Sequence, residues 1–283
     1  MISQFASWHW ISGAMPEPVT RVEVFYMRTM KRRSFFGSVC EQIVYNVPDN
    51  VRNIKDYEPR PQRFKTEEER EKFLLGISRR KHARSFNANF SPSSLYSTLT
   101  FDDDHELHNF EDAKRIRDNF FRVLKRAYPD AVIFFYLGRG KSTHRIHCHM
   151  VSEGIPKEFI AEKWKHGSVK RISNLRSHCY YDGVDHGQDY TGLANYLFDH
   201  WTPEQGGHRW KQTKNAKKPE REDPTEVNVR GGYSEKRPPR PPRGYMLVET
   251  KSTQYGYLYF KYVVVPPTDK RRSSPKLPDR LVS

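Results

Sequence analysis

The chain of 283 residues is long enough for one large domain or two small ones, and its 49 Lys and Arg against 34 Asp and Glu give a formal net charge of +15. A basic excess of this size favours a polyanionic partner, with nucleic acid first and an anionic membrane surface second. No apolar run approaches the ~20 residues that span a bilayer, and residues 1–13 lack a signal-peptide pattern. Three widely spaced cysteines exclude a disulfide framework, so we expect a cytoplasmic protein.

The N-terminal part shows strand patterns and then a helix start. Alternating apolar stretches at Val22–Tyr26 and Val39–Val47 predict a hairpin or a pair of edge strands, and residues 48–65 resemble a linker. Thr66 followed by three glutamates predicts a helix N-terminus, because the free N–H groups there favour negative charge. This helix is expected to end in the basic cluster 79–84.

The middle of the chain has the clearest pattern. Leu95–Phe101 is rich in β-branched and aromatic residues and predicts a strand. Apolar residues spaced by three or four predict a helix from about His108 to Ala127. The apolar run Ala131–Leu137 suits a central strand, residues 138–142 a turn, and Arg145–Val151 the returning strand.

The C-terminal part adds two short helices and two strands. The helices are predicted at Pro156–Trp164 and Thr191–Trp201, separated by a polar loop at Ser177–Asp189, and the strands at Tyr245–Thr250 and Gly256–Val265. We therefore predict an α+β fold, with a central antiparallel sheet and helices packed mainly on one face. The expected organisation is 1–65 for N-terminal strands and linker, 66–265 for the main domain with a basic loop at 206–243, and 266–283 for a disordered tail.

Two histidines two residues apart form the strongest candidate for a chemical site. Side chains alternate across a strand, so His147 and His149 are expected to project from the same face, while Cys148 points to the other with Ile146 and Met150. Two imidazoles in this arrangement can share one metal ion. The simpler alternative is a pair of exposed strand histidines without a ligand.

Three motifs in this order resemble the HUH endonuclease superfamily. They are the strand Ser97–Asp102, the His-Cys-His strand, and the tyrosine-bearing segment Gly192–Leu197. The resemblance is closest to rolling-circle replication initiators related to the gene II protein of filamentous phages. It covers about Phe86 to Val265 and includes the basic segment 208–219.

The resemblance implies a chemistry and a set of site residues. His147 and His149 would hold a divalent ion, Mn or Mg, that polarises the scissile phosphate. Tyr196 would attack phosphorus, leaving a 5′-phosphotyrosyl link and a free 3′-hydroxyl for replication. Single-stranded origin DNA is the implied substrate, contacted by Lys211, Lys214, Lys217 and Lys218. A host helicase and polymerase are the implied partners in a bacterial cytoplasm, since the chain has no Walker A motif.

Tyr196 is favoured as the nucleophile because a helix positions a side chain better than a loop does. It also lies on a different helix face from Leu193, Leu197 and Trp201. The alternatives are Tyr180, Tyr181 and Tyr190, or a purely structural role for Tyr196.

Two positions depart from the family pattern. The family has a lysine three or four residues after the tyrosine, where this chain has Asp199 and His200; His200, Lys211 or Lys214 are candidates to replace it. The third metal ligand is unassigned. The parity of His144 points it away from the pair, whereas Asp102, Asp103 or Asp104 can reach it from the neighbouring strand.

Other functions are also consistent with the composition. Relaxases and single-strand transposases share the chemistry, but the former place the tyrosine before the histidines and the latter are generally shorter. A basic single-stranded nucleic-acid-binding protein without catalysis is the main alternative. A zinc module built on His147, His149 and Cys179 is less favoured, because the chain has no CxxC pair.

Overall fold

The computed structural model describes residues 27–49, 64–102, 107, 109–140, 144–181, 183–252 and 257–265. The predicted strand Val22–Tyr26, most of the linker, the tail from residue 266, and Asp103 and Asp104 lie outside this part of the chain.

Four α-helices are present in the described residues: α1 (Glu67–Asn89), α2 (Phe110–Ala127), α3 (Lys157–Lys163) and α4 (Thr191–Phe198), with a 3-10 turn at Pro203–Gln205. None of them is long and apolar enough to cross a membrane. The longer strands are β1 (Met27–Phe36), β2 (Val39–Pro48), β3 (Leu95–Thr100), β4 (Val132–Arg139), β5 (Ile146–Glu153) and β6 (Val169–Asn174). The remaining strands are β7 (Tyr180–Tyr181), β8 (Val184–Asp185), β9 (Lys211–Gln212), β10 (Glu220–Arg221), β11 (Thr225–Glu226), β12 (Tyr245–Ser252) and β13 (Leu258–Val264).

The larger strands form two antiparallel sheets. The central sheet has the order β6-β3-β5-β4-β9, so the histidine-bearing strand β5 is its middle strand. The second sheet has the order β10-β1-β2-β13-β12, with β11 also paired to β1. Every strand pairing is antiparallel, which confirms the predicted α+β class.

Helices cover both faces of the central sheet, so the prediction that they pack mainly on one face is wrong. Apolar side chains of α2 and α3 pack on one face against Phe135, Cys148 and Met150. Side chains of α1 and α4 pack on the other, against Phe134 and Tyr136. The physical reason is that β4 is apolar at successive positions, and a strand of this kind needs cover on both sides.

The first helix begins where the sequence predicts and ends later. The Thr66 side chain accepts a hydrogen bond from the Glu69 backbone N–H at 3.2 Å, which caps the helix as expected. The helix passes through the basic cluster to Asn89, because its last turns bury Ala83 and Phe86 against the central sheet.

Two ion pairs, one of them buried, connect the second sheet to α1 and to the segment just before α4. Lys261 on β13 lies 2.5 Å from Asp189 just before α4, and both side chains are buried. Lys261 also donates to the Thr191 hydroxyl at 3.0 Å. Arg84 on α1 pairs with Glu41 on β2. The second sheet thus joins strands from both sides of the predicted boundary at residue 65, and it contacts the start of the helix that carries Tyr196.

Lys261→Met is expected to lower the free energy of unfolding by about 3–5 kcal/mol at pH 7, because it leaves the buried Asp189 carboxylate without its partner. Burial raises the pKa of Asp189, but Lys261 and hydrogen bonds from Thr191 outweigh it and hold the pKa below its usual 3.8. A depressed carboxyl pKa contributes stability above pH ~4 that is lost in acid. The decrease in unfolding free energy caused by Lys261→Met should therefore become smaller as the pH falls towards 3.

Denaturant unfolding measured at pH 7 and at pH 3.5 tests this expectation. Lys251→Met is the matched control, since its ion pair with Glu249 is largely exposed and contributes ~1 kcal/mol at most. If Lys261→Met and Lys251→Met lower the free energy of unfolding equally, the buried pair does not stabilise the fold.

Candidate metal and nucleophile site

The predicted alternation along β5 is confirmed. His147 is opposite Gly138 and His149 opposite Tyr136 on β4. The two histidine rings share one face, with their Nε2 atoms 3.1 Å apart. Cys148 is fully buried on the other face with Ile146 and Met150. Two nitrogens bound cis to one ion at ~2.1 Å lie ~3 Å apart, so the spacing of the pair suits a shared metal.

His200 completes a cluster of three histidines. The described residues contain one group with metal-ligand spacing, and its members are His147, His149 and His200, whose ligand atoms all lie within 4.8 Å of one another. His200 follows α4, and its ring centroid lies 4.6 Å from that of His149 and 5.8 Å from that of His147. This cluster could hold a metal ion.

Hydrogen bonds orient the three rings with Nε2 towards the cluster. The Nδ1–H of His200 donates to the Tyr196 carbonyl oxygen at 2.8 Å. The Tyr96 hydroxyl lies 2.7 Å from His149 Nδ1, and the Arg145 carbonyl oxygen lies 3.4 Å from His147 Nδ1. An Nδ1 hydrogen directed at each oxygen leaves the Nε2 lone pair available to a metal, as is usual for ligating histidines.

Burial keeps the β5 histidines neutral. It lowers the pKa of His149 to about 3, and the neighbouring His147 and His200 act in the same direction. Burial also lowers the pKa of His147. Since only a neutral imidazole binds metal, protons do not compete for these ligands near pH 7.

Gly138 makes the approach of His200 possible. The sequence suggests a turn glycine, but Gly138 lies within β4, opposite His147. A Cβ at this position would lie 2.7 Å from Cδ2 of His200 and 3.3 Å from Nε2 of His147. Because Gly138 has no side chain, the His200 ring can pack against this position.

Gly138→Ala is expected to displace the His200 ring and weaken Mn²⁺ or Co²⁺ binding about 10–100-fold, the usual effect of disturbing the surroundings of a metal ligand. Calorimetric titration of the metal measures this. Gly76→Ala on α1 is the control, because no heavy atom lies within 4 Å of its added Cβ. Unchanged affinity in Gly138→Ala would remove His200 from the ligand set.

Tyr196 lies beside the cluster and faces solvent. Its ring centroid is 4.3 Å from that of His200 and 6.1 Å from that of His149, and the side chain is 53% exposed. The neighbouring Ala194 and Leu197 are buried against the central sheet, so α4 anchors one face and presents Tyr196 on another.

The alternative tyrosines lie in different surroundings. Tyr190 is buried and its hydroxyl donates to the Arg176 carbonyl oxygen. The Tyr181 hydroxyl packs against Gly192 on α4, in the space that a side chain at this position would fill. Gly192 lies about 6 Å from Tyr196 along the helix axis. Tyr180 is exposed and its ring lies beside His178.

Gln205 fixes the loop that carries His200. Its buried side-chain amide donates to the carbonyl oxygens of Leu137, at 3.2 Å, and of His200, at 3.1 Å. These two bonds tie the segment after α4 to the end of β4. Neither His200 as a ligand nor Gln205 is evident from the sequence, although His200 lies at i+4 from Tyr196, where the two side chains share a helix face.

The predicted DNA-binding lysines do not converge on the histidines. Lys211 pairs with Asp118 on α2 at 3.0 Å, on the opposite face of the central sheet. Lys214, Lys217 and Lys218 are exposed in a segment held near Ile133, about 16 Å along β4 from Gly138.

Arg171 is a basic residue on the histidine face. It is exposed and opposite Thr98 on β3, whose other neighbour across the sheet is His149. Its guanidinium donates to the Ser173 hydroxyl. Burial raises the pKa of Tyr96, and the charge of Arg171 acts against this rise. A positive charge therefore stands on the β3 side of the cluster.

The remaining candidate ligands lie apart from the cluster. Cys179 packs against the apolar residues between α1, α4 and the central sheet, and it is not a member of the histidine group. The zinc module with Cys179 therefore has no geometric basis here. Asp102 is exposed and is also outside the group.

No protein-family model, curated protein or solved structure was found to match this chain.

Proposed function

We propose that this protein nicks and rejoins single-stranded DNA as a rolling-circle replication initiator, with Tyr196 as the nucleophile. The proposal is supported by the exposed Tyr196 ring, which lies on a helix with one buried face, directly beside three histidines that could hold a metal. The resemblance to HUH endonucleases supports the same assignment through the order of the motifs along the chain.

The histidine cluster fits a divalent ion, Mn or Mg, because the ligand atoms of its three rings all lie within 4.8 Å of one another and each Nδ1 lies within hydrogen-bond distance of an oxygen. A bound ion would polarise the non-bridging oxygens of the scissile phosphate. His147, His149 and His200 would hold this ion, while Tyr96 and Gln205 keep His149 and His200 in place.

Tyr196 carries the covalent step. Its phenolic oxygen forms a bond to phosphorus as the bond from phosphorus to the 3′-oxygen breaks. The phenol gives its proton to solvent, and the leaving 3′-oxygen takes up a proton from solvent. The products are a 5′-phosphotyrosyl link and a free 3′-hydroxyl, and attack by a 3′-hydroxyl reverses the step. Arg171 supplies a positive charge near the phosphate, in place of the lysine that the family has after its tyrosine.

The proposed substrate is single-stranded DNA at a replication origin, with a host helicase and polymerase acting in the same bacterial cytoplasm. Lys214, Lys217 and Lys218 would contact phosphates away from the cleaved bond, and Lys211 would do so on release from Asp118.

Incubation of the chain with labelled single-stranded oligonucleotides, with Mn²⁺ or with EDTA, tests the proposal. Metal-dependent cleavage that leaves one product attached to protein supports it. Tight binding without cleavage of any oligonucleotide in Mn²⁺ or Mg²⁺ would instead favour the non-catalytic nucleic-acid-binding protein.

A further inference from the structure

A groove lies between α1 and the segment that follows α4. Its volume is about 470 Å³, and it is lined by Ser78, Gly207, His208, Arg209, Trp210 and Gln212. The metal cluster and Tyr196 use none of these residues. The groove is connected to the cluster through the end of α4, because Arg209 packs on Trp201, which directly follows His200 in the chain.

Arg209 is held rigidly over aromatic rings. Its guanidinium carbon lies 4.2 Å from the Trp201 ring centroid and 4.6 Å from that of Phe198. Stacking of this kind fixes the plane of a guanidinium, so that its N–H groups point in defined directions. Arg209 therefore presents an oriented fork of donors beside the groove.

Gln212 adds a second oriented donor. The Trp210 indole N–H donates to Gln212 Oε1 at 2.8 Å, which leaves the Gln212 amide hydrogens for another partner. The groove thus combines aromatic surface with fixed donors. Burial lowers the pKa of Arg209, while the charges of Asp199 and Arg79, which pair with each other, act on it in opposite directions.

We propose that this groove binds one nucleobase of the single strand, next to the nucleotide at Tyr196, and that Arg209 and Gln212 select a base with acceptors on its edge. Guanine fits best, because O6 and N7 accept a bidentate hydrogen bond from arginine. The inference rests on the proposed function, and it adds a source of sequence preference near the cleaved bond.

Fluorescence anisotropy with two labelled oligonucleotides tests the inference without cleavage. The first is a twelve-residue strand of dT, and the second is the same strand with one central dG. The unaltered chain is expected to bind the dG strand about tenfold more tightly. Arg209→Ala should lose this preference and keep most of its affinity for the dT strand.

Two further variants sharpen the result. Arg209→Lys keeps the charge but loses the planar fork, so it should lose the preference with little change in dT binding. Arg243→Ala removes the same charge from an exposed position ahead of β12 and should keep the preference.

Absence of a dG preference in the unaltered chain, or its persistence in both Arg209 variants, would overturn the inference. An equal loss of affinity for both strands in Arg209→Ala would also overturn it, because Arg209 would then contact phosphate. Failure to bind either strand would reject the proposed function itself and the groove with it.

Discussion

Tyr196→Phe is expected to abolish the covalent protein–DNA adduct and to lower the rate of single-strand cleavage by at least ~10⁴-fold. The substitution removes one oxygen from a half-exposed side chain, so the fold and the affinity for single strands should be unchanged. Denaturing gels with end-labelled oligonucleotides in Mn²⁺ measure both the cleavage and the adduct.

Tyr180→Phe and Tyr181→Phe are the matched controls, since both tyrosines are exposed on the segment before α4. They should retain the adduct. An adduct that persists in Tyr196→Phe and disappears in one of the controls would move the nucleophile to that residue.

The double substitution of His147 and His149 by alanine is expected to reduce cleavage by at least ~10³-fold, because it removes two of the three proposed metal ligands. Binding of single strands should fall by less than about threefold, since phosphate contacts come from dispersed Lys and Arg. Parallel cleavage and anisotropy assays at one salt concentration separate the two effects.

His178→Ala is the control for loss of a histidine as such. His178 pairs with Asp185 at 2.7 Å and lies outside the histidine cluster. The His178→Ala variant should cleave DNA at the same rate as the unaltered chain. Full cleavage by the His147 and His149 double variant would end the metal hypothesis.

Local patterns in the sequence predict most of the elements around the site. The period of two along β5 correctly assigns His147 and His149 to one face and Cys148 to the other, because strand geometry determines side-chain direction. The apolar stripe of α2 and the Thr66 cap are equally local signals, and both elements begin within about two residues of the prediction.

Features that depend on distant contacts escape such patterns. The role of His200 arises because the loop after α4 packs against Gly138, and the amide of Gln205 holds it there. Neither contact produces a periodic pattern in the sequence. The second sheet pairs β2 with β13, strands from opposite parts of the chain, and no short-range signal predicts that pairing.

The distribution of helices over both faces follows from β4 itself. Phe134 and Phe135 are both fully buried although they point to opposite faces. The sequence shows that this strand is apolar throughout, which implies cover on both faces.

We expect Tyr196 to become covalently attached to DNA in a reaction that depends on the histidine cluster. The most direct measurement is mass spectrometry of peptides after incubation with circular single-stranded DNA and Mn²⁺, followed by nuclease and protease digestion. We predict a nucleotide-modified peptide that contains Tyr196, absent in EDTA and absent from the His147 and His149 double variant. Cleaved DNA with no modified tyrosine, or a modification confined to Tyr180 or Tyr181, would contradict the account.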